Sequence, residues 1–281
     1  MEMEMTQDTP RTSTGQTVQA PQSIGQFTTG LILFRNVACA LSCLTFVGTG
    51  TTQAEEQSSF ADNVSANVGI TSEYYFRGLS QTDDAPALQG GFEYEAGLTE
   101  QLNLYVGAWG SNVDFNEAEG IDSATVEIDI YGGLNGLFGD TGVSWDAGLI
   151  YYAYPGAESG LDYDFWELQG AVGYNFEIAT LTASINHSPE NFAASGAAFY
   201  PKIAAFVPVP GVRGLAVSGH VAKQYIDEND VFGTDDYVEW NVAVGYELFG
   251  FDLSAAYSDT DVRPNTDGNG EAVIFTVGRS F

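Results

Sequence analysis

The chain has 281 residues, with 38 acidic side chains against 8 basic ones and a formal charge of -30. That balance excludes nucleic acid as a partner, because affinity for phosphate backbones comes from Lys and Arg that displace counterions. The absence of any run of 18 apolar residues excludes a helical membrane span, and the length fits one large domain more simply than two small ones.

Both cysteines, Cys39 and Cys43, lie in a short apolar stretch over residues 37–47, after Arg35 and before the small-residue run Thr52, Gln53, Ala54. This reads as an export signal, preceded by a long, polar, weakly basic stretch over residues 1–34. Either translation begins nearer Leu31 or those first residues are disordered. The run from Ala40 to Cys43 loosely resembles a lipoprotein cleavage box, but alanine stands at Ala40 where leucine is usual, so cleavage after Ala54 is favoured. Residues 1–54 are then an extension and cleaved signal, and residues 55–281 the mature domain, free of cysteine and of disulfide chemistry.

From Asn63 onward the dominant signal is alternation with period two, in segments of about ten residues separated by Gly, Asp, Asn, Ser and Pro clusters. The first segment sets Val64, Ala66, Val68, Ile70, Tyr74 and Phe76 against Ser65, Asn67, Gly69, Thr71, Glu73 and Arg77. Eleven more follow near residues 87–96, 102–112, 124–134, 143–153, 163–176, 180–187, 198–209, 215–225, 237–248, 251–258 and 271–281. The connections alternate in length. Residues 97–101, 139–142, 177–179, 210–214 and 249–250 are short, whereas residues 78–86, 113–123, 154–162, 188–197, 226–236 and 259–270 are longer and hold most of the loop acids. Tight turns at one end and longer loops at the other are the pattern of a transmembrane up-and-down antiparallel β-barrel, all-β, of about 12 strands.

Soluble barrels alternate as well, so aromatic placement discriminates. With the apolar parity taken as outward, Tyr74, Phe76, Tyr151, Trp166, Trp240 and Tyr257 fall near the long loops. Tyr94, Trp145, Tyr174, Phe176, Tyr246 and Phe251 fall near the short turns, with Val68, Val106, Leu149, Val172, Val242 and Leu253 among the aliphatics between. Two aromatic girdles around an aliphatic band describe a lipid-facing surface. The chain closes on residues 276–281, TVGRSF, and a terminal Phe281 on an amphipathic strand resembles the signal read by the outer-membrane assembly machinery, although Arg279 departs from it.

Several segments resemble the TorF family of porins: residues 72–83, SEYYFRGLSQTD; 86–92, PALQGGF; 105–114, YVGAWGSNVD; 127–133, EIDIYGG; 146–156, DAGLIYYAYPG; and 161–167, LDYDFWE. The likeness spans residues 63–281. It implies an outer-membrane barrel and diffusive transport, and offers no catalytic or binding residues to carry across.

Chemistry has few footholds. His187 is followed by Ser188, but neighbouring strand residues point to opposite faces, and His220 has no orienting carboxylate nearby in sequence. Residues 265–270, NTDGNG, look like half of a calcium loop, yet position twelve is Thr276 rather than glutamate, so a solvated turn is the simpler reading. Asp227, Glu228, Asp230, Asp235 and Asp236 are weak surface candidates for cations, with Asp83, Asp84, Glu117, Glu119 and Asp122 beside them, against solubility as the plain alternative.

The inward parity carries Glu73, Arg77, Glu127, Asp129, Asp146, Glu167, Gln169, Lys202, Glu239, Asn241, Glu247 and Asp252. Glu73, Arg77, Glu127, Asp129, Glu167, Lys202, Glu239 and Glu247 are the pore-lining candidates. Acids outnumber bases too far for pairing to neutralise them, which favours a hydrated, cation-friendly lumen. The expectation is a monomeric or trimeric outer-membrane porin for passive diffusion of small hydrophilic solutes or cations, in contact with outer-membrane lipid, without cofactor or catalysis. The alternatives are a structural or surface-interaction barrel, its interior plugged around Arg77 and Lys202, or an outer-membrane enzyme.

Overall fold

The computed structural model describes residues 60–115, 124–263, 268 and 270–281. The signal segment with Cys39 and Cys43, the loop acids Glu117, Glu119 and Asp122, and most of the NTDGNG turn lie outside the described residues.

Twelve antiparallel strands close into a barrel. They are β1 (Val64–Thr71), β4 (Ala87–Thr99), β5 (Leu102–Asn112), β6 (Val126–Leu137), β7 (Val143–Ala153), β8 (Phe165–Asn175), β9 (Thr180–Ser188), β10 (Ala198–Pro208), β11 (Leu215–Ile226), β12 (Tyr237–Leu248), β13 (Phe251–Thr260) and β14 (Ala272–Ser280). Each pairs with its sequence neighbour, and β1 closes the ring between β4 and β14. Closure leaves no unpaired edge, the condition for a sheet to sit in hydrocarbon. At the seam, the Ala66 and Phe281 amides each donate to the other's carbonyl, at 3.2 and 2.9 Å.

The alternation sets two faces. Val68, Ile70, Val106, Leu149, Val172, Val242 and Val244 are exposed on the outside. Tyr151, Trp166, Trp240 and Tyr257 ring that band toward the long loops, and Tyr174, Phe176, Tyr246 and Phe251 toward the short turns. A continuous apolar surface of this extent is not kept in water by a monomeric protein. Arg279 also points outward, its guanidinium 5.1 Å from the Phe281 ring and 5.8 Å from Phe251, so its charge rests on the aromatic girdle.

The first expected strand is shorter than its alternation. It ends at Thr71, and Tyr74 and Phe76, expected in the outer girdle, lie inside the barrel. Local chemistry explains the break. Ser72 is held at the rim by its amide donating to the Phe275 carbonyl (2.8 Å) and its hydroxyl accepting from the Phe275 amide (3.0 Å). The chain then turns inward as a small hairpin, β2 (Tyr75–Phe76) and β3 (Leu79–Ser80), whose two-residue turn places Arg77 at φ 51° and Gly78 at φ 79°. Two positive φ values in succession are the geometry of the tightest hairpin turns, which glycine adopts without steric cost.

Candidate functional site

The inward hairpin organises the barrel interior. Its base is tied to two other long loops: the Ser80 amide donates to the Gly268 carbonyl (2.7 Å) and the Asp114 amide to the Gln81 carbonyl (2.8 Å). Tyr75 packs on Ala256 and Ile274, while Phe76 meets Tyr152 edge to face at 5.8 Å. At the tip, a Cβ on Gly78 would collide with the Thr260 methyl and stand 2.9 Å from Glu239 Cβ, so only glycine lets the turn seat against the wall at β12 and β13. Outside this level Phe115, Tyr154, Tyr163 and Phe192 form a cluster of edge-to-face and stacked rings among the long loops.

Arg77 is buried and partnered on both terminal nitrogens. It donates to Glu167 Oε2 at 2.6 Å and to Gln224 Oε1 at 3.0 Å, with its guanidinium carbon 4.2 Å from the Tyr200 ring centre. Glu167 Oε2 also accepts from Asn186 Nδ2 (3.1 Å) and the Tyr152 hydroxyl (3.3 Å). Such multiple partnering is what a charge taken out of water requires. Beside it, Glu239 accepts from the Tyr200 hydroxyl and lies 2.8 Å from His220 Nε2. Glu127 accepts from the Tyr74 hydroxyl at 3.2 Å. At the hairpin's base, burial raises the Glu73 carboxyl above the ordinary glutamate range; Ser80 offsets part of this and the Asp84 carboxylate adds to it.

The pore-lining candidates therefore fall into two levels. Glu127, Asp129, Glu167 and Glu239 are at most 1 % exposed, in the half nearer the long loops where the hairpin sits. Lys202 and Glu247, with Asp146, Gln169, Asn241 and Asp252, are partly exposed and lie further from that mouth. Glu73 and Arg77 are carried by the inward loop and not by the barrel wall. Toward β5 to β7 the inner wall is filled by Tyr105 and Tyr131, whose rings lie over Gly107, Gly133 and Gly148.

Sequence spacing missed the carboxylate that orients His220. Glu239 lies on the next strand, where Ala222 is its direct partner, and only the β11 to β12 register reveals the proximity. His187 points outward, stacked on Phe199 at 4.3 Å. The surface acids Asp227, Glu228, Asp230, Asp235 and Asp236 are not gathered: Asp236 caps the Ile226 amide at 3.0 Å, and no metal-holding group of three His, Cys, Asp or Glu occurs among the described residues.

The chain belongs to a family described as bacterial protein of unknown function (Gcw_chp), which matches residues 53–281. No curated protein matches it. Among solved structures, a protein from work on the in-meso crystallization of membrane proteins aligns with TM-score 0.50 and 10% identity, over 78% of this chain and 83% of that one. The COG4313 outer membrane channel from Pseudomonas putida F1 aligns with TM-score 0.49 and 11% identity, over 82% of this chain and 100% of that one. The outer membrane channel DcaP of Acinetobacter baumannii aligns with TM-score 0.41 and 12% identity, over 69% and 63%. At these identities the likeness is one of fold.

Proposed function

We propose that this member of the Gcw_chp family is an outer-membrane porin-like channel, exported by its N-terminal signal, through which small hydrophilic solutes diffuse with a preference for cations. The resemblance to TorF porins belongs to the same reading. The observation that carries it is the inversion of the barrel: aliphatic outside between two aromatic belts, polar and acid-rich inside. A sealed structural barrel gains nothing from an interior lined by Asp146, Glu247 and Asp252 that remain partly exposed, since unneutralised carboxylates are stable only where water reaches them. The hairpin tip at Arg77 and Gly78 is the constriction of the path. Catalysis has no support beyond the His220 and Glu239 pair.

One observation favours a second reading, a barrel that transports nothing. The Arg77 to Glu167 ion pair and the tight seat of Gly78 are what a permanent plug would show. Liposome swelling with sugars and amino acids of graded size separates the two. The channel admits solutes in an order set by size, and a plugged barrel admits none.

A further inference from the structure

We propose that Lys202, Ser184 and Gln169 form a solute-binding subsite for small hydroxy-carboxylates on the inner wall of the barrel, just beyond the hairpin tip. Lys202 and Ser184 are direct partners across β10 and β9, and Ser184 pairs on its other side with Ala171 of β8, two residues from Gln169 on the same face. Direct cross-strand partners hold their Cβ atoms about 5 Å apart and diagonal ones about 7–8 Å, so the three side chains share a patch the size of a small organic acid.

The three groups have hydrogen-bonding capacity that the protein itself leaves unused. Among the described residues the Lys202 ammonium has no hydrogen bond and no ion pair; it stands 5.7 Å from the Tyr200 ring centre. Ser184 Oγ and Gln169 Oε1 are buried without a hydrogen bond. An unpartnered buried polar group costs about 1–3 kcal/mol, and two of them beside an ammonium without a hydrogen bond point to a ligand that satisfies them.

Their chemistry selects the ligand. The ammonium supplies positive charge and three donors, the hydroxyl both donates and accepts, and Gln169 Oε1 only accepts. The Gln169 amide nitrogen is committed to Asp146 Oδ1 at 2.8 Å, which fixes the direction in which Oε1 faces. A carboxylate bound by Lys202 and Ser184, with a hydroxyl donating to Gln169, completes the set. Nearby Asp146 and Glu239 disfavour a second negative charge, so a monoanion fits best.

This inference goes beyond the channel reading and needs no conduction. The test is calorimetric titration of the folded barrel in detergent with gluconate and with sorbitol, its uncharged counterpart. Gluconate is expected to bind at least ten times more tightly than sorbitol. K202M should lose that preference, S184A should weaken it several-fold, and K202R should retain most of it; heat-modifiable gel mobility verifies that each variant is folded. Equal binding of gluconate and sorbitol, or unchanged gluconate affinity in folded K202M, overturns the subsite. A wild type that binds gluconate but shows no conductance leaves the subsite standing and removes the channel.

Discussion

Arg77, at the tip of a hairpin turned into the barrel, donates to the Glu167 carboxylate on β8 across 2.6 Å, ninety residues along the chain. This contact joins a loop to the wall and decides how firmly the interior is occupied near the long loops. Removing one partner strands the other in a dry site, which costs about 3–5 kcal/mol, whereas removing both costs far less. R77M is therefore expected to lower the urea midpoint of the folded barrel and to raise its conductance, while R77M/E167Q recovers most of the stability and keeps the raised conductance. Equal stability of R77M and wild type would mean that the pair does not hold the hairpin.

The hairpin's seating depends on pH through Glu73. Burial raises its carboxyl in the docked hairpin, so the docked state takes up a proton at higher pH than the free one. Docking is then strengthened as pH falls through that raised value and weakened above it. Conductance should fall on mild acidification, before ordinary carboxylates titrate, and E73Q should abolish that step. A pH response identical in E73Q and wild type assigns the titration to other groups.

The barrel's fold was largely legible in the sequence, because a period-two pattern leaves each side chain only two directions and the loop lengths alternate. Thr71 marks where legibility stopped: alternation continues through Tyr74 and Phe76, but the strand does not. Nothing in a local pattern tells an outward tyrosine from one folded inward to meet Glu127, 53 residues away. The same limit hid the pairing of His220 with Glu239, which depends on register between strands. The inward parity of Glu127, Asp129, Glu167, Lys202 and Glu239 could be read from spacing, whereas the division into a packed level and a partly exposed one required the hairpin.

The proposed channel reading places the long loops outside the cell and the short turns in the periplasm. Asp84, Asp140 and Asp230 are all exposed, so cysteines placed there differ only in the side of the membrane they face. Impermeant maleimide on intact cells should label D84C and D230C and spare D140C until the outer membrane is opened. The reverse pattern means an inverted barrel.

The last residue closes the ring. Phe281 exchanges backbone hydrogen bonds with Ala66 while remaining 69% exposed, its ring beside the Arg279 guanidinium. F281S should leave the seam hydrogen bonds possible but lower the amount of heat-modifiable barrel recovered from outer membranes. An unchanged yield would show that the aromatic ring is incidental to assembly.

An acid-lined conducting path shows itself in the zero-current potential of the reconstituted wild type across a salt gradient. Rings of carboxylates concentrate cations and repel anions. Screening shortens their reach from about 10 Å at 0.1 M to about 3 Å at 1 M. The wild type should conduct, with a cation preference that is strong in dilute salt and fades in concentrated salt. Neutralising the partly exposed Asp146, Glu247 and Asp252 should reduce this preference more than neutralising buried Glu127 and Asp129. Absence of conductance at every salt concentration, or selectivity for anions, would rule out an acid-lined channel.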